Sequence, residues 1–491
     1  MTRRSAAQPV TCRRSNFFPP QNRCDGIEVV LKGGVGTPRY RQILRLSFAQ
    51  RRQILAPIPE IVELQRIEPA KAKLWMTDYP VSYRDLLAIR DLPSLLAATC
   101  LSRLAEGMLS LAIVLYALTG FGSPALAGWL SFAAVAPGLA ISPLAGTILD
   151  RIGATRAITV DMAASGLFIL ALVLVDRAGW ATTPILLTLA ALFSLTSPLS
   201  IAGIRTLLPH MVPANALDRV NALDTAIYAL ADVLGPALAG LLVGFVGSRW
   251  TLTGIALIYA AAAFCLVSVR SARNPEAPPA SFLAQTLEGI GLVLRQATLR
   301  GLAVSYGLHQ VTWGMLIVVV PVFAARSFPT GASEVVSGLL WAGAGIAGAL
   351  SALVAGRLRT AGRERPIMAL SMLIGALAVW PIAAEFGLLG LVLGVMLAGS
   401  VSGPIAVALL TLRQRRTDPS QLGRVLAISI SLNTAGFPAG SAIAGMLVGW
   451  SLPQAFVIAG FFSLLAALAT ALIPARDQRR NPANDDRRGC A

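Results

Sequence analysis

Ionisable side chains stand inside otherwise apolar stretches of this chain. Arg103 and Glu106 lie in CLSRLAEGMLSLAIVLYA, Asp232 in ALADVLGPALAG and His309 in YGLHQVTWGM. The spacing of three puts Arg103 and Glu106 on one helical face. At ~1.5 Å rise per residue Glu106 falls roughly 18 Å along its helix, near the centre of a bilayer. A carboxyl group there has two uses: to bind and release a proton as its surroundings change, or to fix packing as a static ion pair. Asp232 lies about as deep in its own stretch. Asp161 and Asp224 sit only a turn or so from helix starts, where the helix dipole favours a carboxylate for structural reasons. His309 and Trp313 share a helical face with Tyr306 close by, and a lone histidine of this kind is either a packed, hydrogen-bonded group or a ligand contact.

The elements that must carry these residues are membrane spans. Hydrophobic residues make up 55% of the chain and charged ones 13%, with a mean hydropathy of +0.68, too apolar for a soluble domain whose surface must be polar. A span needs ~20 mostly apolar residues. Twelve such runs are expected, at 94–119, 124–145, 157–177, 183–206, 221–246, 251–270, 300–324, 333–355, 366–383, 386–410, 425–449 and 453–474. Every second connection is rich in arginine, for example Arg151 with Arg156, Arg357 with Arg363, and Arg413 with Arg415 and Arg416; the others carry Arg177, Arg249 and Arg326 singly. The positive-inside rule then puts both termini in the cytoplasm of a multi-pass protein of the cell (inner or plasma) membrane. It also accounts for the net charge of +17 without a nucleic-acid partner, because the basic residues are spread over loops of one face. The five cysteines show no paired spacing, so neither a disulfide framework nor a zinc site is expected.

Five segments follow: a polar, basic extension at 1–75, a first half at 76–270, a central loop at 271–299, a second half at 300–474 and a tail at 475–491. Residues 1–75 contain Lys32, Lys71 and Lys73, the only lysines of the chain. They read either as a disordered extension or as sequence upstream of a true start at Met76, whose lead MTDYPVSYRDLLAIRDLP runs directly into the first span. The two halves repeat: RVNALDTAIYALADVLGPALAGLLVG from Arg219 overlays RVLAISISLNTAGFPAGSAIAGMLVG from Arg424, with Gly235, Gly240 and Gly244 on Gly440, Gly445 and Gly449. Parallel halves with a mid-membrane site between them are a transporter plan.

Between the second and third runs stands GTILDRIGATR, with Gly146, Asp150, Arg151, Gly153 and Arg156. This resembles the signature turn of the major facilitator superfamily, with Thr155 where the family usually has a second base. ADVLGPALAG resembles the family's fifth-span antiporter motif in Gly235, Pro236 and Gly240, with Ala231 and Ala239 replacing glycines. The block from Arg205 to Leu242 is similar to the branch holding macrolide-efflux proteins and enterobactin exporters. The resemblance, which covers about Tyr83 to Ala475, implies an all-α membrane protein of twelve helices in two six-helix halves. It implies a central cavity lined by spans one, four, seven and ten, making His309, Gln310, Trp313, Ser197 and Ser200 candidate substrate contacts, although serine in spans also serves packing. It further implies that Asp150 meets the start of span eleven near Arg424 and Val425 and latches the halves, with Gly146 allowing close helix approach and Gly153 making the turn.

The function expected from all this is secondary transport: a proton-coupled exporter of an amphipathic small molecule such as a drug or siderophore, with Glu106, Arg103 and Asp232 as proton-coupling candidates. Uptake of a nutrient by the same fold is an alternative, and a lipid-handling or scaffold protein whose arginines hold anionic headgroups is another. No catalytic set, metal site, cofactor or nucleotide-binding loop is expected; the partners are the solute, protons and the bilayer, and the chain is expected to be a monomer.

Overall fold

The computed structural model describes residues 83–213, 216–269, 291, 293–357, 362–383, 386–417, 429 and 431–475. The extension at 1–75, most of the central loop, the tail beyond Ala475 and the pair Arg424 and Val425 lie outside the described residues. After a short helix, Tyr83–Leu87, the first half contains α1 (Leu92–Phe121), α2 (Pro124–Ile141), α3 (Ala154–Arg177), α4 (Thr183–Met211), α5 (Leu217–Val246) and α6 (Ser248–Leu266). The second contains α7 (Ala297–Ser327), α8 (Ala332–Arg357), α9 (Glu364–Ala383), α10 (Gly387–Arg416), α11 (Gly436–Val448) and α12 (Leu452–Ala469). Ten of these are long and apolar enough to cross a bilayer; α9 and α11 are the other two, and the residues leading into α11 are partly outside those described. In hydrocarbon each backbone amide must find its partner within its own segment, which leaves the helix as the local solution for every apolar run.

Local chemistry sets the helix ends. Gly122 takes φ 59 at the end of α1, the Ser123 hydroxyl accepts from the Leu126 amide at 3.2 Å and Pro124 opens α2. This is the usual sequence of a left-handed glycine stop, a serine cap and a proline start. In α2 the helix is interrupted at Ala134 and Val135, just ahead of Pro137, which has no amide hydrogen to give.

The stretch expected as one loop between the second and third spans is corrected by the structure. Residues Ala145–Ile152 form a helix that ends on Gly153, whose φ of 86 makes the break, and α3 starts at Ala154. Gly153 is buried while Arg151 and Arg156 are exposed. The side chain of Asp150 and the surroundings of Gly146 are outside what is described. A second correction concerns α10, which runs to Arg416 instead of 410 and so places Arg413 inside a helix at 3% exposure.

The internal repeat has a packing basis. The halves meet along α5 with α8 and α2 with α11, two crossings related by the repeat. A Cβ built on Gly240 would lie 2.6 Å from the Gly338 Cα, and one on Gly445 would lie 3.0 Å from the Gly128 Cα. Gly235 and its counterpart Gly440 instead face α1 and α7 of their own halves, at Gly107 and Val311. Glycine at these points lets helix backbones touch, the usual means of helix association in lipid. The Ser142 and Ser431 hydroxyls add a link at 3.1 Å between the halves.

Candidate functional site

α1 carries the centre of the charged site. Arg103 is 6% exposed, and its Nη1 donates to Glu106 Oε2 at 2.9 Å. The guanidinium also lies over the Tyr228 ring of α5, 5.0 Å from the centroid, a cation–π contact. α5 runs this close because Gly235 packs on Gly107, the residue after Glu106; a Cβ on Gly235 would stand 2.7 Å from the Gly107 Cα. Two of the three antiporter-like residues therefore have separate packing roles: Gly235 holds α5 to α1 and Gly240 holds it to α8. Pro236, inside α5, presents its carbonyl to Gly338.

Four-residue spacing places Asp224, Tyr228 and Asp232 on one face of α5, and all three act electrostatically on Arg103, on Glu106 or on both. Asp161 of α3 completes the group. It is 4% exposed and accepts from the Ser165 hydroxyl at 3.4 Å. A cavity of about 20 Å³ lies between α1, α3, α4 and α6, bordered by Arg103, Glu106, Asp161, Ser197, Ser200 and Tyr259, with room for roughly one water. The structure thus brings Arg103, Glu106, Ser197 and Ser200 to one cavity and sets Asp232 beside the Arg103–Glu106 pair. The chemistry available is proton exchange at carboxyl oxygens around one fixed cation.

Sequence reasoning weighed Asp161 as a helix-start carboxylate and did not single out Tyr228 or Tyr259. The spacing of Tyr228 between Asp224 and Asp232 was the signal available. Ser194 of α4 is engaged elsewhere: its hydroxyl accepts from the Gly138 amide at 3.0 Å and ties α4 to α2.

The second half holds an aromatic row. Trp313 Nε1 donates to His309 Nε2 at 3.0 Å, Tyr306 and His309 have centroids 6.0 Å apart, and Trp313 and Trp341 of α8 are 5.7 Å apart. His309 is 4% exposed and faces Gly375 of α9, so it stands within the second half, while Gln310 is half-buried on the adjoining face. The bond from Trp313 makes Nε2 the acceptor and leaves the ring proton on Nδ1, which is buried without a partner.

The singly placed arginines of the weakly basic connections are each held. Arg249 makes two bonds to Asp176, at 2.5 and 3.3 Å, Arg177 lies over Trp250 at 4.4 Å and Arg326 donates to the Val448 carbonyl at 3.3 Å. Among the described residues no group of three His, Cys, Asp or Glu is placed to hold a metal ion.

Residues 95–304 and 302–489 match the Major Facilitator Superfamily in two consecutive segments. The chain belongs to the Major Facilitator Superfamily. Within it, the chain is 56% identical over 394 residues to an uncharacterized MFS-type transporter, y4rN, of Sinorhizobium fredii, covering 80% of this chain and 97% of that one. It is 28% identical over 295 residues to the enterobactin exporter EntS of Escherichia coli K12, covering 58% of this chain and 68% of the exporter. Its fold is similar to the crystal structure of the nucleoside transporter NupG, with TM-score 0.62 at 14% identity over 78% of this chain and 98% of the other. A POT family transporter in complex with 5-aminolevulinic acid gives 0.63 at 11% identity over 80% and 97%. The protein is accordingly a multi-pass membrane transporter with the twelve-helix architecture of its superfamily, whose members are generally non-enzymatic carriers.

Proposed function

We propose that this transporter is a proton-coupled exporter of an amphipathic small molecule, working by alternating access. The observation that carries the reading is the arrangement of Glu106, Asp161 and Asp232 around Arg103 beside a polar cavity. Carboxyl groups held inside a membrane protein are costly unless they work. Here they outnumber the cation, so protons have several oxygens to visit while Arg103 keeps the local charge bounded. Export as the direction is supported by the relation to an enterobactin exporter and by the antiporter-like Gly235, Pro236 and Gly240.

In this reading Gln310 and Trp313 contribute to the solute path from the second half, and His309 contributes through the hydrogen bond that holds the Trp313 indole. Asp150, with Gly146, Arg151, Gly153 and Arg156, acts as a conformational gate and not as a solute contact. The chain works as a monomer in the cell membrane with both termini cytoplasmic and its basic ends against anionic headgroups. The test is Glu106→Gln in inverted vesicles, reading dye efflux against an imposed proton gradient. Loss of proton-driven efflux with the protein still folded is expected; efflux equal to wild type would overturn the assignment.

A further inference from the structure

The arginines at the end of α10 differ in how they are satisfied. Arg415 pairs with Glu364 at 2.6 Å, and Arg416 donates to the Pro474 carbonyl at 2.7 Å and the Thr298 hydroxyl at 3.2 Å. Arg413 is the most buried of the three, at 3% exposure, yet it takes part in none of the ion pairs found among the described residues. A guanidinium does not shed its proton, and a buried charge without a counter-charge is among the most costly arrangements a fold can hold.

What surrounds it is polar and donor-rich. In the amide orientation that satisfies both neighbours, the Asn433 oxygen accepts from Arg413 Nη2 at 2.5 Å and the Asn433 nitrogen donates to the Ser429 carbonyl at 3.2 Å. Arg413 Nε, the Thr417 hydroxyl and the Ser429 hydroxyl are all buried without a partner. Thr417 lies four residues beyond Arg413, and Ser429 four residues before Asn433. Tyr306 of α7 is the charged group's other electrostatic neighbour. The cluster therefore offers an unpartnered N–H and two unpartnered hydroxyls together with a full positive charge, with no carboxylate paired to it among the described residues. The first half is the reverse, with several carboxyls around one arginine.

We propose that Arg413, Thr417, Ser429 and Asn433 form an oxyanion-binding site in the second half. Its ligand is a carboxylate, sulfonate or phosphate group, which accepts several donors at once in the fork geometry arginine favours. Two sources share that chemistry: an anionic transported amphiphile, which rests on the export reading above, and the phosphate of a lipid headgroup, which does not. The proposed division is that the first half handles protons and the second half holds the anion.

Binding of carboxyfluorescein to the purified full chain in dodecyl maltoside micelles, read by fluorescence anisotropy, tests this, with cationic rhodamine 6G as the matched probe. Arg413→Gln is expected to weaken carboxyfluorescein by at least about tenfold and to leave rhodamine 6G unchanged. A second arm compares the midpoint of thermal unfolding with dioleoylphosphatidylglycerol against dioleoylphosphatidylcholine. If the anionic lipid stabilises wild type and not Arg413→Gln, while carboxyfluorescein binds neither, the site stands with a headgroup as its ligand. If no anionic probe distinguishes the two proteins, the site is overturned. Should Arg413→Gln not fold, Arg413→Lys and Ser429→Ala decide: both keep the charge, both are expected to weaken the anion several-fold, and unchanged affinity in both overturns the proposal. Binding in micelles needs no proton gradient, so its failure leaves the export reading to the Glu106→Gln experiment.

Discussion

Replacing Gly240 by alanine adds one methyl group at the crossing of α5 and α8. That carbon would stand 2.5 Å from the Glu334 carbonyl oxygen, 2.6 Å from the Gly338 Cα and 2.8 Å from the Gly338 nitrogen. All three are backbone atoms, so no rotamer change relieves the clash. Ordinary contact begins near ~3.5 Å, which requires the helices to separate by about 1 Å. Overpacking of this kind costs about 1–3 kcal/mol, and the two helices belong to different halves. The cost therefore falls on the conformation in which the halves touch here and shifts the balance toward the one in which they part, by about 5- to 150-fold. Spin labels at Val246→Cys and Ala332→Cys, near the ends of α5 and α8, report the separation in a cysteine-free background. A growing population at longer distance is expected for Gly240→Ala. Gly254→Ala, where an added carbon meets nothing within 4 Å, is expected to leave the distribution alone. An unchanged distribution in Gly240→Ala would refute the view that this glycine contact sets the conformational balance.

Two further outcomes follow from the site and its frame. Arg249→Met leaves the Asp176 side chain, 7% exposed, without its two bonds and is expected to lower stability by about 1–3 kcal/mol, read as a fall in the thermal midpoint by tryptophan fluorescence. Adding Asp176→Asn should recover part of that fall, and a double variant no more stable than Arg249→Met would count against the pairing as the cause. Asp150→Asn is expected to change the rate of transport while leaving the order of preferred solutes as it is; an altered order would move Asp150 from gate to solute path.

Much of the architecture was legible because it depends on local quantities. Run length and hydropathy decide whether a segment spans, and the alternation of arginine marks every second connection. The paired RVNALD and RVLAIS stretches carry the repeat in the sequence itself. Boundaries were less legible where polar residues continue a helix past the hydrocarbon. α10 is expected to stop at 410, which puts Arg413 among loop arginines; its helix in fact continues to Arg416, where Glu364 of α9, Thr298 of α7 and the Pro474 carbonyl take up the last arginine side chains. GTILDRIGATR was likewise read as a turn, although its first seven residues are helical and only Gly153 takes a positive φ. Of the site, the Arg103–Glu106 pair was readable from a spacing of three. Tyr228 shares the four-residue spacing of Asp224 and Asp232, but its contact with Arg103 comes from α5 crossing α1.

The sequence by itself determined that this is a two-half membrane protein with charges at unusual depth, because burial in lipid is imposed by a segment's own composition. Only the tertiary structure decided which groups answer which. Gly240 meets Gly338 across the halves while Gly235, five residues earlier on the same helix, meets Gly107 within one half. Arg103 has Glu106 as its partner, and Arg413, of the same residue type and equally buried, has no carboxylate among the described residues. The physical reason is that the cost of a buried charge depends on what lies a few ångströms away in space, and neighbours at that distance come from helices far apart in the chain.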